Sequence, residues 1–168
     1  MDNKADYYAH PTAIIESESI GSGTKIWAFS HVSSGVTIGE NCTIGEGVHI
    51  GPNVKIGNNV KIQNHALLYE GVEIEDHVFI GPSVTTTNDI FPRATPGWSA
   101  DTSATFRKTL IREGASVGAN STIVCGNTLN EKCIVGAGSV VIRDVEKQSM
   151  VCGKPADRDW ETDRKSVV

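Results

Sequence analysis

The chain is short of the features that mark several large classes of protein. No run of Lys or Arg occurs and the formal net charge is −5, which argues against nucleic acid and against an anionic membrane surface as partners. No apolar stretch approaches the roughly 18 residues a membrane helix needs, and the polar start MDNKADYYAHP lacks the apolar stretch of a secretory signal, so a soluble cytoplasmic protein is expected. Aromatic residues are 6% of the chain, too few for a core built on large rings. The four cysteines, Cys42, Cys125, Cys133 and Cys152, show no CxxC spacing and read as core thiols rather than metal ligands or disulfide partners. With 168 residues, one domain is expected.

What the chain has is a period. An aliphatic side chain returns every sixth position from Ile14 through Ile20, Ile26, Val32, Ile38, Ile44, Ile50, Ile56, Ile62, Leu68 and Ile74 to Ile80. Two positions earlier stands something small or β-branched, as at Thr24, Ser30, Cys42, Val54 and Ala66, and Gly often follows, as at Gly39, Gly45, Gly57 and Gly81. A period of six fits neither a helix (3.6) nor a lone strand (2). It fits hexapeptide repeats that coil into a parallel β-helix, three hexads to a triangular coil, with the aliphatic and the small residue both pointing inward. A sandwich of short strands would call for irregular spacing and Asn-Gly hairpins.

After Ile80 the rhythm fails, and a polar segment of about 85–108 intervenes. It is too long for a turn between coils and reads as a functional insertion. It carries Phe91, Trp98 and Phe106 beside Asn88 and Arg93, two groups suited to a ligand. The rhythm resumes at Ile111, Val117, Ile123, Leu129, Val135 and Val141. Residues 1–155 are thus expected to form one β-helix domain, capped at its start by residues 1–13, with 156–168 as a short helical C-terminal tail.

Hexads broken by a loop, then GASVGANSTIVCG, VGAGSVVIRDV and GKPA, resemble the left-handed β-helix acyltransferases over nearly the whole chain. The resemblance implies an all-β, left-handed single-stranded parallel β-helix, a homotrimer with active sites between subunits, acetyl-CoA as cosubstrate, and no metal. Within that family, IWAFSHV (26–32), KIQNHALLY (61–69), GPSVTTTNDIFPRA (81–94) and TLIREGASVGANSTIVCG (109–126) resemble N-acetyltransferases of nucleotide-linked 3-amino sugars, which serve cell-surface polysaccharide synthesis of the O-antigen and S-layer type. Their substrates include UDP-2-acetamido-3-amino-2,3-dideoxyglucuronate and dTDP-3-amino-3,6-dideoxyhexoses. Ala28 and Phe91 depart from the family's usual WHFSH and TNDxNPRS, which leaves the sugar open rather than the reaction.

That resemblance assigns coenzyme A to the C-terminal coils. Ala119 and Ala137 stack on one face to let the pantetheine approach, Gly118 and Ala119 offer backbone N–H groups to the thioester oxygen, Ile142 lies beside the adenine, and Arg143 and Lys154 meet phosphates. For the acceptor, Asn88 and Arg93 lead, followed by Gln63, Asn64 and Tyr69. His31 and His49 are 18 residues apart and are expected to stack on an outer face as candidate bases, whereas His65 and His77 depend on turn geometry. A sugar amine is less basic than lysine, so attack without a protein base is a further option. The rivals are an O-acetyltransferase on the same fold, which needs a base more strictly, and a non-catalytic scaffold. A zinc site of the carbonic anhydrase type fails because no His follows residue 77.

Overall fold

A computed structural model describes residues 6–94 and 106–158. Three parallel sheets form a triangular prism, and the chain visits them in rotation, A then B then C. Sheet A runs from Tyr8–Ala9 through Lys25–Ile26, Thr43–Ile44, Lys61–Ile62, Phe79–Ile80, Ser116–Val117 and Ile134–Val135 to Met150–Cys152. Sheet B holds Ile14–Ile15, His31–Val32, His49–Ile50, Leu67–Leu68, Thr85–Thr86, Thr122–Ile123 and Val140–Val141. Sheet C holds Ser19–Ile20, Thr37–Ile38, Lys55–Ile56, Val72–Ile74, Thr109–Ile111 and Thr128–Leu129.

The inward aliphatics stack along each sheet, as in Ile26, Ile44, Ile62, Ile80, Val117 and Val135 of sheet A, none more than 1% exposed. Each such burial stabilises by about 1.5–3 kcal/mol. Beside them, buried hydroxyls are satisfied at the corners: Thr24, Ser30 and Ser121 donate to the carbonyls of Gly39, Gly45 and Gly136 at 2.8, 2.7 and 3.0 Å. Cys42, Cys125 and Cys133 are buried and Cys152 is exposed. Burial raises the Cys42 thiol and pushes that of Cys133 up to about 11, as expected of core thiols.

Two details of the repeat differ from the sequence reading. Ile15, not Ile14, occupies the inward position: Ile15 registers with Val32, while Ile14 registers with His31 and is 59% exposed. The turn that follows is one residue shorter than a full hexad and is closed by buried Ser17, which donates to the Val36 carbonyl at 2.6 Å. Nor does the rhythm stop at Ile80. Thr86 takes the next inward position, fully buried, its hydroxyl accepting the Tyr69 N–H at 3.0 Å and donating to the Leu67 carbonyl at 3.3 Å.

The insertion therefore leaves after Thr86, at the edge between sheets B and C, and the chain returns at Thr109–Ile111, whose Ile111 registers with Ile74. At its other end the prism closes with Asp157–Arg158 antiparallel to Met150–Cys152. The helical tail expected beyond this point and Trp98 lie outside the described residues.

Candidate active site

The edge between sheets A and B presents one column: Ala28, Glu46, Asn64, Pro82, Ala119, Ala137. The first five carbonyls accept the N–H groups of Gly47, His65, Ser83, Asn120 and Gly138 in the next rung at 2.8–2.9 Å, so the column is straight and its members stand one rung apart. Those donors all sit at φ between 56 and 69. At one rung of this column, and at two on the neighbouring edge, the side chain above also satisfies the turn N–H below it. Asn64 Oδ1 takes the Glu46 N–H at 3.1 Å, and along the neighbouring edge Asn58 and Asp76 do the same for Glu40 and Asn58.

Above Ala119 there is only the methyl of Ala137, and the Ala119 N–H has no acceptor among the described residues. A free backbone donor beside two small side chains suits an acyl oxygen. Gly118 does not share this role. Its N–H is held in the rung ladder, donating to the Val135 carbonyl at 2.8 Å, which corrects the expectation that both residues would offer a donor. What Gly118 supplies is closeness, since a Cβ there would stand 2.5 Å from the Ala137 nitrogen.

Sheet B shows a ladder on its outer face. Glu16 Oε1 lies 3.3 Å from His31 Nε2, the His31 and His49 rings meet edge to face at 5.4 Å, and His49 meets Tyr69 at 5.9 Å. The two histidines therefore stack as expected. Burial, and then the neighbouring His31, lower the His49 pKa, so His49 is neutral at neutral pH. His65 and His77 stand instead at φ 60 in turns on two different edges, His65 lying over Gly47.

At the edge between sheets B and C the neck of the insertion is built tightly. Asp89 and Phe106 form an antiparallel bridge, and the Arg107 N–H donates to the Asn88 carbonyl at 2.9 Å. The Asx turn at this entrance belongs to Asp89, whose Oδ1 accepts the Phe91 N–H at 2.8 Å. The half-buried Asn88 side chain makes no hydrogen bond among the described residues, which leaves it available to a ligand. Arg93 is exposed further out.

Higher on the same edge Ile142 is 53% exposed, and Arg143 is paired to Asp157 Oδ1 at 2.7 Å, a bond that a phosphate would have to exchange. The GKPA segment folds back on sheet B, the Gly153 carbonyl accepting from Val140 and the Ala156 N–H donating to it, which brings exposed Lys154 to the same end.

Within one chain, then, the candidates fall into two sets. Gln63, Asn64, Gly118, Ala119 and Ala137 line the edge between A and B; Tyr69, Asn88, Arg93, Ile142 and Arg143 line the edge between B and C. Sheet B lies between the two sets. Sequence reading missed Glu46, Trp27 and His10, which with Ala28 and Asn64 line a recess of about 330 Å³ low on the edge between A and B. The signal for Glu46 was present, two positions after every third inward aliphatic. A larger recess of about 520 Å³ on sheet C is lined by Lys55, Glu73, Glu75, Asp76 and Glu113. Two of its carboxylates are ion-paired, Glu73 with Lys55 and Lys108 and Glu75 with Arg112, and Asp76 accepts from Asn58, so most of the ledge is taken up by its own contacts. No group of three metal-ligating side chains occurs among the described residues.

Comparison with known proteins decides the family. The bacterial transferase hexapeptide family (six repeats) matches residues 19–52 and 53–88, and the hexapeptide repeat of succinyl-transferase matches 111–143. The chain is 46% identical over 149 residues, 89% of its length and 75% of the relative's, to dTDP-3-amino-3,6-dideoxy-alpha-D-galactopyranose 3-N-acetyltransferase of Aneurinibacillus thermoaerophilus. It belongs to the hexapeptide-repeat acyltransferases. Among solved structures, this hexapeptide-repeat chain resembles an acetyltransferase of Vibrio cholerae complexed with acetyl coenzyme A, with a TM-score of 0.62 and 24% identity over 74% of this chain and 69% of that one. It also resembles a mutant GDP-perosamine N-acetyl transferase of Caulobacter crescentus in complex with CoA and GDP-perosamine, with a TM-score of 0.58 and 19% identity over 92% of this chain and 54% of that one. At those identities the likeness establishes the shared fold. No helix among the described residues is long and apolar enough to cross a membrane.

Proposed function

We propose that this acyltransferase moves the acetyl group of acetyl-CoA to the 3-amino group of a nucleotide-linked amino sugar, at sites shared by two subunits of a homotrimer. The observation that carries the reaction is the 46% identity to a 3-N-acetyltransferase across 89% of the chain. The division of candidates over two edges supports the assembly. If three prisms surround an axis with sheet B inward, the A–B edge of each meets the B–C edge of the next. Each cleft then receives Asn64, Ala119 and Ala137 from one subunit, with Asn88, Arg93, Ile142 and Arg143 from its neighbour. An acetyl-CoA donor also fits a cytoplasmic enzyme.

In this cleft the lone pair of the sugar amine attacks the thioester carbonyl carbon. The Ala119 N–H receives the developing oxyanion, the C–S bond breaks, and the thiol of coenzyme A departs as one proton leaves nitrogen. Asn88 holds the amine or an adjacent hydroxyl, and Arg93 grips a diphosphate or a sugar carboxylate. His31 and His49 stand on the face of sheet B rather than at its edges. That position supports attack by the neutral fraction of the bound amine, with no obligatory protein base.

The test is thiol release from acetyl-CoA over a panel of UDP- and dTDP-linked 3-amino and 4-amino sugars. Turnover of a 3-amino sugar that falls roughly a hundredfold in Asn88→Ala, yet survives His49→Gln, is expected. Turnover confined to 4-amino or hydroxyl acceptors would overturn the assignment.

A further inference from the structure

Two threonine hydroxyls stand where sheet B gives way to the insertion, and they bond in opposite directions along the prism. Thr86 reaches down, to the Tyr69 N–H and the Leu67 carbonyl. Thr87 reaches up: its hydroxyl accepts the Cys125 N–H of the next rung at 3.0 Å, and its own N–H donates to the Ile123 carbonyl at 3.0 Å. We propose, building on the acceptor role given to Asn88 above, that Thr87 is a positioning residue for acetyl transfer. Its hydroxyl sets the height of Asn88 against the coil that carries Ala119.

The heights follow from the register. Ala119 and Cys125 belong to one coil, each two positions after an inward aliphatic, Val117 and Ile123. Thr86 registers with Ile123, so Asn88, two positions after Thr86, stands one rung below Cys125. A rotation about an axis parallel to the prism preserves height. The neighbour's Asn88 therefore enters the cleft within about one rung, roughly 5 Å, of the Ala119 coil. Acyl transfer needs the amine about 3–3.5 Å from the thioester carbon, and a misplacement of about 1 Å is enough to slow such a step many-fold. The bond that fixes this height is then a rate-determining contact, although it touches neither reactant.

Asn88 itself is tied elsewhere. Its carbonyl accepts from Arg107 on the return limb, and its side chain makes no hydrogen bond among the described residues. Strand pairing with the coil above ends at Thr86, and the two Thr87 bonds carry that tie one residue further, up to Asn88. The other foot of the insertion supplies a natural control. Glu75 accepts the Glu113 N–H at 2.9 Å and bridges the same span of 38 positions as Thr87 and Cys125. It does so on the edge between sheets C and A, away from Asn88.

A double-mutant cycle tests this, with thiol release measured on the acceptor of the panel that turns over fastest. Thr87→Val removes the hydroxyl and should lower kcat roughly tenfold with acetyl-CoA KM unchanged; Thr87→Ala, which adds no methyl, should match it. Thr87→Ser keeps the acceptor and should restore the wild-type rate. Adding Thr87→Val to Asn88→Ala should cost nothing further, because the threonine acts through the asparagine. Glu75→Ala should lower the urea midpoint at least as far as Thr87→Val yet leave kcat near wild type, which separates position from stability. The side-chain amide resonance of Asn88, assigned by its absence from Asn88→Ala spectra, reads position without turnover. It should move in Thr87→Val and stay in Thr87→Ser and Glu75→Ala. A wild-type kcat in Thr87→Val, a full further tenfold loss in the double variant, no rescue by serine, or an unmoved Asn88 resonance would overturn the proposal. A panel with no turnover at all would sink the acceptor assignment, and the resonance would still decide whether Thr87 places Asn88.

Discussion

Gly118→Ala is the change that most directly tests how closely the coils stack at the donor edge. A methyl at Gly118 would stand 2.5 Å from the Ala137 nitrogen, 2.8 Å from its Cα and 2.9 Å from the Gly136 carbonyl carbon. All three are backbone, so no side chain can swing away. To restore ordinary contact near 3.4 Å, the rung above must lift by most of an ångström, against a ladder whose Gly118 to Val135 hydrogen bond is 2.8 Å. Overpacking with a weakened hydrogen bond costs about 3 kcal/mol. Gly138→Ala is the control: φ there is +69 and nothing lies within 4 Å of the new methyl, so the cost is backbone strain alone, about 1 kcal/mol. Urea unfolding followed by far-UV circular dichroism at one fixed protein concentration reads both. Gly118→Ala should show the lower midpoint at equal slope, together with a raised acetyl-CoA KM because Ala119 and Ala137 are displaced. An equal or larger loss in Gly138→Ala would refute the stacking argument.

A water-soluble disulfide reagent should titrate one thiol of the folded protein, that of Cys152, and all four after denaturation; rapid labelling of a second thiol would contradict the burial of Cys42, Cys125 and Cys133. Because the folded pKa of His49 lies below its ordinary value of 6.5, its contribution to stability is present above about pH 6.5 and is lost as pH falls through the depressed value. His49→Gln should therefore flatten the fall in melting temperature between neutral and mildly acid pH, and a steeper fall in that variant would count against it. Thr86→Val removes the acceptor of the Tyr69 N–H, a bond of 3.0 Å in the interior, and should cost about 1–3 kcal/mol despite the matched shape; a neutral result by urea titration would show that the hydroxyl is dispensable.

The fold was legible because the repeat tolerates so little at its inward positions: stacked coils bury each one against the next, so aliphatics recur and the period is plain. It became illegible where that rule bends. Ile14 and Ile15 are both aliphatic, and nothing in the sequence marks the shortened turn that selects Ile15. Thr86 fails an aliphatic count, yet its hydroxyl finds both partners on the rung below, so a polar residue fills a core position. The site was legible in part. Asn88 and Arg93 stood out by chemistry in an irregular segment, and Ala119 and Ala137 by spacing. Glu46 and His10 did not, because their meaning appears only when three hexads are laid as one coil and a column is read down the edge. The spent N–H of Gly118 and the free N–H of Ala119 differ by one position, a distinction made by the ladder and by the missing side-chain acceptor at Ala137, not by either residue's identity.

The placement of the insertion follows from the same stacking. A solenoid whose rungs bond only to their neighbours can admit a long excursion at a corner, since the cost of closing a loop grows slowly with its length. The condition is that the two feet return to register, and they do: Ile111 meets Ile74, although Arg112 and its partner Glu75 are 37 positions apart where one coil ordinarily takes 18. Glu75 holds Arg112 at 2.7 Å and the Glu113 N–H at 2.9 Å, while Glu73 holds Lys108 at 3.3 Å. Burial alone would raise the Glu73 pKa, but Lys108 and Lys55 outweigh it and hold the carboxylate low. Each of these pairs is partly exposed and individually weak. Together with the bridge of Asp89 and Phe106 they fix the base of the insertion on both sides. Asn88, at that base, is thereby tied to the returning limb through its own carbonyl, which accepts the Arg107 N–H at 2.9 Å.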